Sequence, residues 1–226
     1  AVSRYQGLCG MKATSGSVGF TQDNRPNGID RIRARFYVLN DGIGGPTTLY
    51  EGYGDESGGN PQFSVDFDPA TNEFTLTDTA SGVNVSQNGD GGWESVEIDW
   101  DSGGDNLALT VNGQPPVTAS GLTTGSLESV RLGNLDGVAV RGADTGLEFD
   151  AYEAHRTPEV GRLCNCNANG SADDTVNVQD VVLVVNEASG TGLASGTPDC
   201  NEDGQVLVQD VTQTVNIAGG DQQCIE

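Results

Sequence analysis

RIRARFYVL, Arg31–Leu39, alternates without a break: Ile32, Ala34, Phe36 and Val38 fall on one side, and Arg31, Arg33 and Arg35 on the other. Successive side chains of a strand point to opposite faces, so this stretch predicts a strand with one dry and one wet face. FSVDFD (63–68) repeats the pattern, with Phe63, Val65 and Phe67 against Ser64, Asp66 and Asp68. WESVEIDWD (93–101) places Val96, Ile98 and Trp100 inward and Glu97, Asp99 and Asp101 outward. LALTVNG (107–113), SVRLGNL (129–135) and LEFDAYEAHR (147–156) continue it, and turn-forming segments separate the runs: NDGIGG (40–45), SQNGDGG (86–92) and DSGGDN (101–106). Short alternating strands between frequent turns predict an antiparallel β-sandwich over residues 1–157.

The chain has 226 residues and a formal charge of −23, enough length for one large or two small domains. Its 33 glycines suit a turn-rich β fold, and its 35% hydrophobic content suffices for a core. Such an acidic surface repels phosphates, which argues against nucleic acid as a partner. It suits a salty extracellular medium or a protein that gathers divalent cations. No run of about 18 apolar residues is present to span a membrane, and Ala1 is compatible with a mature N-terminus left by signal cleavage. Cys164 and Cys166 form a C-x-C pair with no second pair and no nearby histidine, which matches no zinc spacing. Cys9, Cys164, Cys166, Cys200 and Cys224 therefore read as disulfide formers in an oxidising compartment, with one left over, and the chain reads as secreted.

Beyond a linker at 158–163 the composition changes. From Leu163 to Glu226 there are ten acidic residues and neither lysine nor arginine. This region, 164–226, repeats itself: VNVQDVVLVVN (176–186) and VLVQDVTQTVN (206–216) agree at seven of eleven positions. Upstream, NCNANG (165–170) aligns with DCNEDG (199–204). Two loop-then-helix units follow from this pattern.

The second loop has the spacing of an EF-hand-type calcium loop. Asp199, Asn201 and Asp203 stand at positions 1, 3 and 5, Gly204 at 6, Gln205 at 7 with its backbone carbonyl, and Asp210 at 12. Like charges set this close together call for a cation, and oxygen ligands suit calcium. The first loop admits two registers. In one, Asn165, Asn167 and Asn169 lead to Asp180, with SADD (171–174) inserted and Asp173 or Asp174 restoring a carboxylate. In the other, Asn169, Ser171 and Asp173 keep regular spacing, with Asp174 where glycine should be. The first register keeps Cys166, Asn167 and Gly170 aligned with their counterparts. Two calcium sites are expected, the first with fewer charges and weaker binding.

The tandem resembles the dockerin type I module over residues 164 to about 222: two calcium loops, each followed by a helix, with Asp at the twelfth position. The resemblance implies a small α-helical calcium-binding domain that docks to a cohesin-like domain. It also implies that the pair before the last ligand, Val178-Gln179 and Val208-Gln209, meets the partner. Dockerins often carry small hydroxyl residues there. Two identical pairs would allow docking in two orientations. Because dockerin ends lie close together, the resemblance also implies a Cys164–Cys224 clasp. Cys166 and Cys200 hold equivalent loop positions and pair only if the two loop starts meet.

Trp93 and the run Val111-Asn112-Gly113 resemble concanavalin A-like jelly rolls, especially laminin G-like modules, which implies a jelly-roll fold that binds glycans or proteins. Glu97-Ile98-Asp99 is similar to half of the E-x-D-x-x-E motif of jelly-roll glycosidases. Ser102 replaces its acid/base, and two carboxyls are needed, so no catalytic site is expected. Arg31, Arg33 and Arg35 are a candidate face for an anionic polysaccharide, or else they pair across strands with carboxylates such as Asp66 and Asp68.

The expectation is a secreted, non-catalytic, calcium-binding protein. Its jelly roll recognises a glycan or surface, and its C-terminal module docks to a cohesin-like partner. An alternative is a homopolymer, a filament subunit assembled head-to-tail from the module of one copy onto the jelly roll of the next. A glycoside hydrolase is the remaining option.

Overall fold

The computed structural model describes residues 10–40, 42–140, 146–156, 166–169, 176–192, 194–196, 198–200 and 205–219. They fall into two units, one of strands and one of helices, which are taken separately. The linker 158–163 lies outside the described residues.

The first unit is an antiparallel sandwich of two six-stranded sheets with jelly-roll connections. One sheet contains β1 (Met11–Thr14), β12 (Gly146–His155), β3 (Arg31–Leu39), β8 (Trp93–Asp101), β9 (Asn106–Val111) and β10 (Val117–Ala119), in that spatial order. The other contains β2 (Gly19–Asp23), β11 (Ser129–Asn134), β4 (Thr47–Tyr53), β5 (Pro61–Asp68), β6 (Glu73–Asp78) and β7 (Asn84–Asn88). The predicted runs 31–39 and 93–101 are β3 and β8 residue for residue. The turn expected at 86–92 begins later, because Ser86, Gln87 and Asn88 finish β7 and pair with Thr75, Phe74 and Glu73.

The core follows from the alternation. Ile32, Ala34, Phe36 and Val38 of β3 meet Phe63, Val65 and Phe67 of β5, with Val96, Ile98 and Trp100 alongside. An aromatic seam crosses between the sheets: Phe149–Phe36 at 6.3 Å between centroids, Phe36–Tyr50 at 5.7 Å, Tyr50–Phe63 at 5.5 Å and Phe63–Trp100 at 5.7 Å. Each large side chain buried this way stabilises by roughly 1.5–3 kcal/mol. Gly52 makes the seam possible, since a Cβ there would lie 2.3 Å from the Phe63 ring.

Two polar groups are drawn into this interior with their partners. The Trp100 indole N–H donates to Asp78 Oδ1 at 2.9 Å, and Asp78 Oδ2 accepts from Ser81 N and Oγ. Glu94 is fully buried and accepts from Asn40, Asn112 and the Gly91 amide. Asn112 takes the left-handed conformation (φ 53°) that starts the Val-Asn-Gly turn, and its Oδ1 accepts Ser95 N.

The arginine row of β3 is engaged across strands. Arg31 pairs with Asp99 at 2.6 Å and Asp101 at 3.2 Å, Arg33 with Asp99 at 3.0 Å, and Arg35 with Glu153 at 2.9 Å. The partners are not Asp66 and Asp68, because those belong to β5 in the opposite sheet, whereas β3 is flanked by β8 and β12.

Asp78→Ala should leave the buried Trp100 N–H without its acceptor and lower stability by at least about 2 kcal/mol, read from urea unfolding followed by tryptophan fluorescence.

Candidate functional site

The second unit contains α1 (Val178–Ala188) and α2 (Val208–Ala218), which pack on each other. Both are rich in β-branched residues, poor helix formers on their own, so their first turns matter. In α1 the Asn177 side chain accepts Gln179 N at 2.8 Å. In both helices the aspartate at the third helical position reaches back to the chain before the helix. Asp180 accepts Asn177 N at 2.9 Å, and Asp210 accepts Leu207 N at 2.7 Å.

The other oxygen of each carboxylate grips the preceding loop. Asp180 Oδ1 accepts Asn169 N at 3.0 Å, and Asp210 Oδ1 accepts Cys200 N at 2.9 Å. Both aspartates are 0% exposed. Each helix start is thus tied to its own loop by one buried carboxylate that accepts from a loop amide and from the amide before the helix, although the loop amides, Asn169 and Cys200, are not at equivalent positions of the repeat. A disulfide joins the loops at equivalent positions, Cys166 to Cys200, with an S–S distance of 2.06 Å. It packs against Val176 and Ile217, and the Cys200 sulfur lies 3.0 Å from Thr214 Oγ1. The two loop starts do meet. Cys9, Cys164 and Cys224, with the proposed clasp, lie outside the described residues.

Of the expected calcium ligands, Asp180 and Asp210 are the buried pair just described, Asn167 is buried, Asp199 and Asn169 are half-buried, and Gln205 is exposed. Asn169, which belongs to both registers of the first loop, is the residue bonded to Asp180. Asn165, Asp173, Asn201 and Asp203 lie outside the described residues. Among the described residues no three His, Cys, Asp or Glu side chains gather. The described donors are all oxygens, the set a hard cation such as calcium takes. Val178 and Val208, in the pairs before the last ligand, are each 73% exposed, and Gln179 and Gln209 are exposed beside them. Val182 and Val185 extend the exposed stripe on α1, and Val215 on α2.

On the sandwich, the half motif at Glu97 and Asp99 lies on the outer face of β8. Asp99 is held by Arg31 and Arg33. Ser102 is buried, and its hydroxyl lies within hydrogen-bonding distance of the Asp30 and Gly125 carbonyls. Of the three arginines considered as a ligand face, Arg35 is buried and Arg31 and Arg33 are partly exposed in their ion pairs. The opposite sheet carries short oxygen side chains that alternation alone did not single out. Thr48, Asp66, Thr75 and Ser86 stand side by side on β4 to β7, and Glu51 stands opposite Ser64 one row away. Asp66 accepts from Thr48 at 2.6 Å and from Ser64 at 2.8 Å. Burial pushes the Glu51 carboxyl up; the Tyr53 hydroxyl bonded to it opposes the rise, and Asp66 and Asp136 add to it. Burial and that bond push Tyr53 itself up to about 12.

No protein-family model matches the chain, and no curated protein matches it. Solved structures do resemble it. The native heptameric SAP-like pentraxin of Limulus polyphemus is 12% identical, with a TM-score of 0.48 over 63% of this chain and 74% of that one. The CBM40 of the Ruminococcus gnavus IT-sialidase, bound to alpha2,3 sialyllactose, is 14% identical, with a TM-score of 0.43 over 66% and 90%. Domains LG4-5 of the mouse laminin alpha1 chain are 15% identical, with a TM-score of 0.45 over 73% and 51%. At such identities the likeness is one of fold.

Asp210→Ala should free two amides and destabilise the second unit by about 2 kcal/mol or more. The expected readout is faster hydrogen exchange at Cys200 and Leu207, with β-strand amides unchanged. Glu51→Gln tests the opposite sign. A carboxyl raised on folding supports the fold in acid and loses that support as pH climbs past its folded value. The variant should therefore melt higher than the parent at pH 7, and the gap should close below about pH 4.

Proposed function

We propose that the chain is a secreted, non-catalytic calcium-binding protein whose C-terminal unit docks a protein partner and whose sandwich recognises a glycan. The observation that carries the calcium reading is the matched pair Asp180 and Asp210. Two carboxylates are buried at the twelfth loop position, in a region whose sequence contains no lysine or arginine after Arg162. Buried carboxylates need strong compensation, and a cation shared with the loop oxygens is one source of it. Calcium, when bound, would supply the charge that holds the loop oxygens together. Asp199, Asn201, Asp203, the Gln205 carbonyl and Asp210 would hold one ion. Asp180, Asn169 and either Asn165 with Asn167 or Ser171 with Asp173 would hold the other. The tandem follows the dockerin pattern in this respect.

The exposed pairs Val178-Gln179 and Val208-Gln209 support docking, because they present the same chemistry from two equivalent helix starts. The partner is a cohesin-like domain or a second copy of this chain, and the second choice gives a head-to-tail filament. The glycan reading rests on the outer face of β4 to β7, where carboxylate and hydroxyl oxygens are spaced to meet sugar hydroxyls. The arginines of β3 are less suited, being committed to Asp99, Asp101 and Glu153. The disulfide fits an oxidising compartment, and no described helix is long and apolar enough to cross a membrane.

Metal analysis of protein purified in calcium should find two ions per chain. Chelation should reduce the helical circular dichroism signal, and calcium should restore it, since ligand and fold are coupled. Absence of bound metal together with an unchanged helical signal after chelation would sink the calcium reading. Light scattering in calcium separates the partner choices, with growth in mass selecting the filament.

A further inference from the structure

Opposite charges set directly across an antiparallel pair ordinarily find each other. Arg131 of β11 stands opposite Glu51 of β4, yet each is bonded elsewhere. Glu51 Oε2 accepts the Tyr53 hydroxyl. Arg131 donates Nε to Gln22 Oε1 and Nη2 to the Ser57 carbonyl, both at 2.8 Å. All of these partners are uncharged, and among the described residues Arg131 has no carboxylate at ion-pair distance.

A carboxylate offers about four acceptor positions and a guanidinium five donors, so capacity remains on both. Glu51 Oε1 and Arg131 Nη1 meet no hydrogen-bond partner among the described residues, and both side chains are partly exposed. The guanidinium is not free to swing across. Its Cζ lies 4.5 Å from the Phe20 ring centroid and 4.7 Å from that of Tyr53. Gly58 packs against it so closely that a Cβ there would lie 2.3 Å from Nη1. A donor and an acceptor are thus fixed side by side without satisfying each other.

Glu51 is kept at a cost to the fold. Burial holds its carboxyl above the ordinary range, Asp66 and Asp136 add to the rise, and Arg131 opposes it only weakly. Groups that a fold would be more stable without gather where a surface is used. Phe20 supplies the third element. It lies on the edge strand β2, with the Arg131 guanidinium over its ring, and is 43% exposed. It is a large apolar ring that the core does not use.

We propose that Phe20, Arg131 and Glu51 form a subsite for a neutral pyranose, which stacks on the Phe20 ring and sets two adjacent hydroxyls against the guanidinium and the carboxylate. One hydroxyl donates to Glu51 Oε1, and its neighbour accepts from Arg131 Nη1. Both bonds are charge-assisted, which makes them the stronger kind. A neutral sugar is favoured over an acidic one, because Glu51, Asp66 and Asp136 repel a further carboxylate and the chain as a whole carries −23. The inference rests on the reading of this sheet's outer face as a glycan site, and it extends that site from β4 across β11 to the β2 edge.

Isothermal titration of the full chain in calcium at pH 7 tests it, with cellopentaose, mannopentaose, xylopentaose and galactopentaose as neutral probes and tetragalacturonate as the acidic one. At least one neutral probe should saturate at a single site, and tetragalacturonate should bind more weakly. Arg131→Gln should weaken the neutral probe about tenfold or more, as expected for a lost charge-assisted hydrogen bond. Phe20→Ala, at an exposed edge position, should weaken it with little change in melting temperature, and it carries the test if Arg131→Gln does not fold. Glu51→Gln should weaken binding while melting above the parent, a combination that a purely structural role does not give. The subsite falls if a neutral probe binds the parent and the folded variants alike; loss of that binding in Asp66→Ala would then leave the glycan face standing. It also falls if tetragalacturonate binds more tightly than every neutral probe. If no probe binds at all, the glycan reading falls with it.

Discussion

Everything described in the sandwich depends on the aromatic seam between its sheets. Phe149, Phe36, Tyr50, Phe63 and Trp100 form one line of ring contacts from β12 through to β8, crossing from one sheet to the other at Phe36–Tyr50 and back at Phe63–Trp100. The outer faces are free to be polar only because this interior is dry. The Trp100–Asp78 bond extends the same logic, since a buried indole N–H needs an acceptor and the chain supplies one from the opposite sheet. The ion pairs of the outer face, by contrast, are partly solvated and adjust to strand order instead of setting it.

The helical unit solves a different problem. It has a small apolar interior centred on the Cys166–Cys200 disulfide, with Val176 and Ile217 packed against it. Its helices lack the propensity to stand alone. What fixes them is polar: a buried aspartate at the head of each helix, holding the loop before it. A disulfide closing 34 residues adds about 3–4 kcal/mol by limiting the unfolded chain. A unit built this way gains from any ion that its loop oxygens can share, which is why the calcium reading and the fold of the unit are one question.

The bulge in β12 links fold to surface. One extra residue moves Tyr152 inward to Tyr50 and sends Glu153 outward to Arg35, so a local irregularity sets an inner tyrosine pair and completes the outer charge row at once.

The sequence by itself determined the strands with unbroken alternation. Ile32 to Val38, Phe63 to Phe67 and Val96 to Trp100 could not be turned over without burying charge, so their faces were legible. It also determined the equivalence of Asp180 and Asp210, because the repeat VQDV places each of them third in its helix. The tertiary structure alone decided which carboxylates meet the arginines of β3. Alternation gives the face of a residue but not the neighbour of its strand, and β3 lies between β8 and β12, far along the chain from one another. It alone decided β4, where a register shift lets Leu49 and Tyr50 both face the core and erases the period of two. It alone decided the bulge in β12, since Ala151 has no mark in the sequence. A bulge arises where two sheets must curve together, and that constraint belongs to the assembled sandwich.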